Sequence, residues 1–145
     1  MHTASGPTTY QLHILVTKRV VITVGKLGPC DFPAGEYIYT GSAKKTIESR
    51  IARHLRRLKT LRWHIDYLLA APEVEIIGVA RRLGPECTIN QRTLGEIIVP
   101  RFGATDCRNG CGSHLKFIGA TYDRFQPAAW RSISPLDGAR NGVVK

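Results

Sequence analysis

The hydrophobic period of the sequence changes between residues 35 and 61, and this change restricts the folds open to the chain. In GEYIYTG, residues 35–41, Tyr37 and Tyr39 fall on one face at the period of two that is typical of a β-strand. In TIESRIARHLRRLKTL, residues 46–61, apolar side chains recur at helical spacing, at Ile47, Ile51, Leu55 and Leu58. With Thr46 as the N-cap, the pattern predicts a strand that leads into a helix through a short Gly-Ser turn.

The rest of the chain continues as strands and helices of ordinary length. Alternating or β-branched segments predict strands at 8–16, 19–25, 73–82 and 114–122, and helical patterns occur at 62–72 and 85–98. Residues 26–35 are rich in Pro and Gly and predict a turn region, and 101–113 a loop. The order predicts an α/β (α+β) fold with a small, mostly antiparallel sheet flanked by helices. We expect one domain over residues 1–122 and a loosely ordered tail over 123–145, with Trp130 as a candidate anchor.

The length and the apolar content are those of a single domain without a membrane span. The chain has 145 residues, of which 43% are hydrophobic, but no run approaches the roughly 20 apolar residues that cross a bilayer. The N-terminal segment MHTASGPTTY lacks the apolar region of a secretory signal. We therefore expect a cytoplasmic protein that does not act at a membrane.

The basic charge is concentrated in one segment. The net charge is +10, and residues 44–63 contain eight Lys or Arg but a single acid, Glu48. Such a local surplus predicts binding to a polyanion, and nucleic acid is the first partner to consider. The candidate contacts to nucleic acid are Lys44, Lys45, Arg53, Arg56, Arg57, Lys59 and Arg62.

The helical projection of this segment separates its cations. At about 100° per residue, Arg50, His54 and Arg57 fall along one edge of the apolar stripe. Arg53 and Arg56 are expected to point further out to solvent. Asp66, on the next predicted helix, is expected to have a structural role in tying down the basic helix, and Trp63 to be buried in the core.

The four cysteines suggest a metal site or free thiols. Disulfides are the less favoured use in a chain without an export signal. Cys107, Cys111 and His114 form C-x3-C-x2-H, and Cys87 is available from a predicted helix, so that the four could bind a structural Zn²⁺. The alternative is a set of reduced thiols that pack the loop against the helix.

Several segments together resemble the GIY-YIG nuclease superfamily. The matching pieces are FPAGEYIYTGSA, RIARHLRRLKTLRWHIDYLL, EC at 86–87, and FGATDC followed by SHL, which together span residues 8 to about 118. The closest resemblance is to an archaeal and bacterial branch that is found alone or fused to DNA-repair glycosylases. By this resemblance, Tyr10 and Tyr39 are the two superfamily tyrosines, and Arg50 and His54 are its helical pair.

The resemblance implies a metal-dependent phosphodiesterase acting on DNA rather than RNA, with other DNA-repair proteins as further partners. One Mg²⁺ or Mn²⁺ ion would be held by Glu86, with Glu96 as the alternative carboxylate. Arg50 would stabilise the developing phosphoryl charge, His54 would orient the water or a phosphate oxygen, and Tyr39 would accept a proton. Lowering the pKa of a tyrosine to neutrality takes about 3 units, or roughly 4 kcal/mol, so we expect the cationic helix and the metal to act together on a hydroxyl that opens onto a cleft.

The sequence departs from the superfamily pattern at three points. Thr8 replaces the glycine before the first tyrosine, Ser42 replaces a lysine after the second motif, and an additional strand's length of chain separates the two motifs. The missing lysine favours an alternative function, a nucleic-acid-binding module that keeps the fold without the reaction. A third hypothesis is a zinc-stapled interaction domain that binds no nucleic acid.

Each candidate side chain also has a structural interpretation. A strand tyrosine is most often a packing residue, which is the role expected for Tyr37. The stem of Arg50 could cover the core, and His54 could be an ordinary histidine on the flank of a helix. Glu86 could complement the dipole of the helix that it begins.

Overall fold

The computed structural model of the protein describes residues 6–43, 45–105 and 107–120. These residues contain six strands: β1 (Thr9–Val16), β2 (Val20–Thr23), β3 (Pro29–Phe32), β4 (Gly35–Ser42), β5 (Val74–Arg82) and β6 (Leu115–Gly119). Three α-helices are present in the described residues, α1 (Ile47–Leu55), α2 (His64–Leu69) and α3 (Glu86–Arg92), with a short 3-10 helix at Gly25–Leu27. The predicted tail at 123–145 and its anchor Trp130 lie outside the described residues.

Four strands form an antiparallel sheet in the order β5-β1-β4-β6, and β2 pairs with β3 as a separate two-stranded sheet. This arrangement confirms the predicted α/β fold with an antiparallel sheet. No helix among the described residues combines the length and the apolar character needed to cross a bilayer.

The alternation in β1 and β4 builds the core on one face of the sheet. Tyr10, Leu12, Ile14 and Val16 are all at most 1% exposed, and β4 adds Tyr37 and Tyr39 beside them. The other face is largely polar next to α3, where the amide of Gln11 donates to the hydroxyls of Thr40 and Thr93. The tyrosines therefore lie on the face of the sheet that packs against α1 and α2, whereas α3 packs against the opposite face.

Helix α1 ends at Leu55, six residues earlier than predicted. Arg56 has an extended backbone, with φ of −76° and ψ of 137°, and Leu58 is 89% exposed. The ammonium of Lys59 turns back and donates to the backbone carbonyls of Arg53 and His54. Because these bonds satisfy carbonyls that a longer helix would use, the apolar spacing at Leu58 does not extend the helix.

Two further boundaries differ from the predictions. The expected turn at 26–35 contains β3, because Cys30 and Phe32 alternate inward opposite β2. The helix expected over 85–98 covers only Glu86–Arg92. At Gly95 the backbone has a φ of +149° and lies so close to β6 that a Cβ would be 2.8 Å from the Cβ of Lys116, so the chain runs beside the sheet and Glu96 bridges to Phe117.

The start of α2 is joined to α1 through Asp66, as the sequence predicts. Asp66 is 0% exposed, and its carboxylate accepts two bonds from the guanidinium of Arg53, at 2.8 and 3.0 Å. The same carboxylate accepts the backbone N–H groups of Arg62 and Trp63. Burial acts to raise the pKa of Asp66, but these hydrogen bonds outweigh it and hold the pKa below its ordinary value.

Candidate functional site

The two candidate tyrosines lie side by side on adjacent strands. Tyr10 is opposite Gly41, and Leu12 is opposite Tyr39, in the antiparallel pairing of β1 with β4. A Cβ at Gly41 would lie 2.6 Å from the hydroxyl oxygen of Tyr10 and 3.1 Å from Cε2 of Tyr39. The glycine that follows Tyr39 and Thr40 therefore allows both rings to occupy the same face.

His54 joins this pair from α1. Its Nε2 lies 2.6 Å from the hydroxyl oxygen of Tyr10, and its ring centroid lies 6.0 Å from that of Tyr39. His54 is only 2% exposed, and burial lowers its pKa to about 4, so the imidazole is neutral near pH 7. The structure thus places His54 beside the tyrosines, as the resemblance implies, but within the core and away from the solvent from which a phosphate would approach.

Burial also determines the protonation state of the Tyr39 phenol. Tyr39 is 8% exposed and packs against Phe102, so the expected opening of its hydroxyl onto a cleft is largely wrong. Burial raises the pKa of Tyr39 well above its ordinary value, with smaller contributions from Tyr10 and nearby carboxylates, and Arg50 opposes it only weakly. The cationic helix alone therefore does not bring this phenol towards ionisation, and its joint action with a metal ion stays a prediction.

Arg50 and Glu86 approach the same residue, Ser42, at the end of β4. Nη1 of Arg50 donates to the backbone carbonyl of Ser42 at 3.0 Å, and the hydroxyl of Ser42 donates to Oε1 of Glu86 at 2.8 Å. The guanidinium carbon of Arg50 also lies 4.5 Å from the ring centroid of Trp63, a cation–π contact that orients it. A guanidinium and a carboxylate are thus held on either side of one strand end.

Glu86 is half-buried and has a second partner in His114. Its Oε2 lies 2.8 Å from Nδ1 of His114. Burial acts to raise the pKa of Glu86, but His114 and Ser42 outweigh it, so the pKa is lowered and the carboxylate is ionised near pH 7. The alternative carboxylate, Glu96, is exposed and lies in the bridge to Phe117.

A cationic pocket of about 660 Å³ opens beside Arg50. Its lining combines three cations with three hydroxyl side chains, from Ser42, Lys45, Thr46, Ser49, Arg50 and Arg53, together with Ala43. Ser42 accepts one of the five guanidinium N–H groups of Arg50 and Tyr10 lies near the same guanidinium, which leaves further N–H groups for an anion. The pocket has the charge and the donors that a phosphate group requires.

The remaining predicted cations divide into exposed and structural residues. Arg53 does not point out to solvent as expected, since it pairs with Asp66 and its guanidinium lies 4.2 Å from the ring centroid of Trp63. Arg57 lies beyond α1 and donates to the carbonyls of Leu69 and Val74, so it does not share an edge with Arg50.

Five other cations complete the predicted set. Lys59 caps α1, whereas Lys45, Arg56 and Arg62 are exposed. Lys44 lies outside the described residues.

The four predicted zinc ligands lie close together in the structure. Cys87, Cys107, Cys111 and His114 each offer one ligand atom, and these atoms lie within 4.8 Å of one another. All four cysteines of the chain are free.

Three contacts of the site were not predicted from the sequence. Ser42 was identified only as a substitution for lysine, whereas it bonds the candidate carboxylate. Trp63 was expected in the core, but it is half-buried and stacks on Arg50 and Arg53. The contact between Glu86 and His114 joins the candidate Mg²⁺ and Zn²⁺ sites, and no spacing rule relates residues 28 positions apart.

A methyl group at Gly41 should disturb the two tyrosines. Gly41→Ala places a Cβ against the hydroxyl of Tyr10, so the ring must move away from His54 or the strand must shift. We expect a loss of about 1–3 kcal/mol in the free energy of unfolding, measured by urea denaturation. Gly6→Ala is the control, since a Cβ there has no heavy atom within 4 Å, and equal stabilities of the two variants would contradict this packing.

A comparison with protein families matches residues 9–132 of the chain to a family described as a domain of unknown function, DUF123. No curated protein and no solved structure matches the chain.

Proposed function

Since the chain belongs to this GIY-YIG-like family, DUF123, we propose that it is a divalent-metal-dependent DNA endonuclease that hydrolyses phosphodiester bonds in DNA repair or processing. The observation that supports this proposal best is the arrangement around Ser42. One cation, Arg50, and one carboxylate, Glu86, are held at the end of the strand that carries Tyr39, beside a pocket with the charge of a phosphate site.

The donor set at Glu86 fits a single Mg²⁺ or Mn²⁺ ion. Glu86 is ionised, half-buried and bonded once at each oxygen, so each oxygen keeps acceptor capacity. Mg²⁺ is commonly held by one or two carboxylates and by substrate phosphates, and one carboxylate beside a phosphate pocket meets that requirement. When bound, such an ion supplies an acidified water and charge for the phosphoryl oxygens.

The protein's own groups have distinct roles in the proposal. Arg50 binds a non-bridging phosphoryl oxygen and stabilises the charge that develops there, because Ser42 and Trp63 hold it in place before the substrate arrives. Lys45 contributes further positive charge at the pocket. Tyr39 stays a neutral phenol and so does not act as the base in this chain, and the contact between Tyr10 and His54 packs α1 against the sheet beside it.

A binding module without catalysis is the second candidate. It is favoured by the burial of Tyr10, Tyr39 and His54, which keeps these three candidates for a general base away from solvent water. In this function the same pocket holds a backbone phosphate, and binding is salt-dependent because cations displace counterions from the nucleic acid.

A panel of end-labelled substrates distinguishes these functions. We expect the full chain to nick single-stranded, branched or damaged DNA in Mg²⁺ or Mn²⁺ but not in EDTA, and to cleave matched RNA less. Binding that weakens between 50 and 200 mM salt, without cleavage in either ion, would replace the first candidate with the second. Absence of both cleavage and binding would contradict the proposed function.

A further inference from the structure

The cluster of Cys87, Cys107, Cys111 and His114 has the dimensions of a tetrahedral metal site. The four ligand atoms lie within 4.8 Å of one another, and the sulfurs of Cys87 and Cys107 are 3.7 Å apart. Two sulfurs bonded to one tetrahedral zinc at 2.3 Å are separated by about 3.8 Å. This pair is too far apart for a disulfide, in which the sulfurs are about 2.05 Å apart, but at the spacing that one shared ion requires.

Amide N–H groups surround the three sulfurs. The backbone N–H of Asn109 donates to Sγ of Cys107 at 3.4 Å, and its side-chain amide donates to Sγ of Cys87 at 3.3 Å. The side-chain amide of Gln91 donates to Sγ of Cys111 at 3.4 Å. Each sulfur therefore accepts an N–H group, the outer-shell pattern that offsets the negative charge of metal-bound ligands.

His114 completes the set with an unused nitrogen. The residue is 3% exposed, and neither ring nitrogen makes a hydrogen bond of ordinary geometry to a described residue, although Nδ1 lies in ion-pair range of Glu86. A buried polar atom without a partner carries a cost that a metal bond would remove. Because Nδ1 lies 2.8 Å from Oε2 of Glu86, Nε2 is the nitrogen left for an ion.

We propose that Cys87, Cys107, Cys111 and His114 bind one structural Zn²⁺ ion, and that Glu86 is the outer-shell carboxylate that orients His114. Three soft thiolates and an imidazole suit Zn²⁺ and are poor ligands for Mg²⁺. Cys87 lies in α3, Cys107 and Cys111 lie in the loop before β6, and His114 directly precedes that strand. One shared ion would therefore cross-link these segments. The Glu86 carboxylate would then contact the zinc ligand His114 through Oε2 and accept the hydroxyl of Ser42 through Oε1.

Metal analysis of the full chain tests the first half of this proposal. We expect about one zinc per chain after purification without added metal, and its replacement by Co²⁺ should give thiolate-to-cobalt charge-transfer bands and the visible bands of a tetrahedral ion. Cys107→Ser and Cys111→Ser should lose the ion. Cys30→Ser is the matched control, since its sulfur lies in β3 and bonds the carbonyl of Gly28.

A measurement on the unmodified chain keeps the test independent of how these variants fold. Titration of the thiols with a mercurial, in the presence of a chromophoric chelator, should release the zinc in proportion to the thiols modified. A wild-type chain with less than about a tenth of an equivalent of zinc, which also fails to take up Zn²⁺ or Co²⁺ under reducing conditions, would overturn the site.

The affinity of the site for zinc tests the second half, independently of any nuclease activity. Loss of an outer-shell carboxylate typically weakens metal binding by about 10–100-fold, so Glu86→Gln should bind Zn²⁺ more weakly by that factor in competition with a chelator. Glu96→Gln, the same substitution at an exposed carboxylate, should leave the affinity unchanged. Equal affinities in the two variants would overturn the link between Glu86 and the zinc site.

Discussion

Replacing Glu86 with glutamine should reduce metal-dependent DNA cleavage by about 100-fold or more while leaving DNA binding intact. Glutamine has the shape of glutamate, and its amide oxygen can still accept the hydroxyl of Ser42, so the strand end keeps its geometry. What is removed is the negative charge that the proposed ion needs. The measurement is the single-turnover cleavage rate over a titration of Mg²⁺ and Mn²⁺, with DNA binding followed by fluorescence anisotropy.

Glu96→Gln is the control for this substitution. Glu96 is exposed, and its backbone, rather than its carboxylate, bridges to Phe117. Because Glu86 also takes part in the proposed zinc site, each variant is first loaded with zinc and its metal content measured before cleavage is compared. A zinc-loaded Glu86→Gln that cleaves at the wild-type rate would contradict the catalytic role, and a loss confined to Glu96→Gln would transfer that role to Glu96.

Replacing Asp66 with asparagine should lower the free energy of unfolding by about 3–5 kcal/mol. The substitution leaves the guanidinium of Arg53 without its buried counter-ion and weakens the acceptor for the first turn of α2. Because Arg53 also stacks on Trp63, the position of Arg50 should be disturbed as well. Urea denaturation at neutral pH, with circular dichroism, gives the size of the effect.

The pH dependence of the Asp66 variant identifies its cause. The pKa of Asp66 is lowered in the folded chain, so its stabilisation is present above the unfolded pKa of about 4 and is lost as the pH falls below it. The difference between wild type and Asp66→Asn should therefore shrink in acid. Asp31→Asn is a matched control, since Asp31 forms a two-bonded pair with Arg19 in solvent and its loss should change stability little. Equal effects at the two positions would show that burial of the Asp66 pair contributes nothing.

The predictable parts of the fold are those in which apolar residues recur at the period of a strand or of a helix. The alternation around Tyr39 and the helical spacing that begins at Ile47 identify β4 and the start of α1, and the structural role of Asp66 is confirmed. The end of α1 was not predictable, because it depends on where the ammonium of Lys59 finds acceptors and not on the apolar pattern.

Four side chains of the candidate site could be selected by resemblance, but their environment could not be predicted. The resemblance selects Tyr10, Tyr39, Arg50 and His54, and the structure brings them together around one sheet face. Burial depends on the packing of Phe102 and Trp63 from distant segments, so the raised pKa of Tyr39 could not be read from the strand that contains it.

The bonds that define the site join segments far apart along the chain. The contact between Tyr10 and His54 and the contact between Ser42 and Glu86 each close a separation of 44 residues. Loop closure over such lengths costs conformational entropy, so these contacts depend on the strand pairing that brings the segments together. Displacement of α3 would separate Glu86 from Ser42 while β1 and β4 remain paired, so the carboxylate side of the site depends on the packing of this one helix.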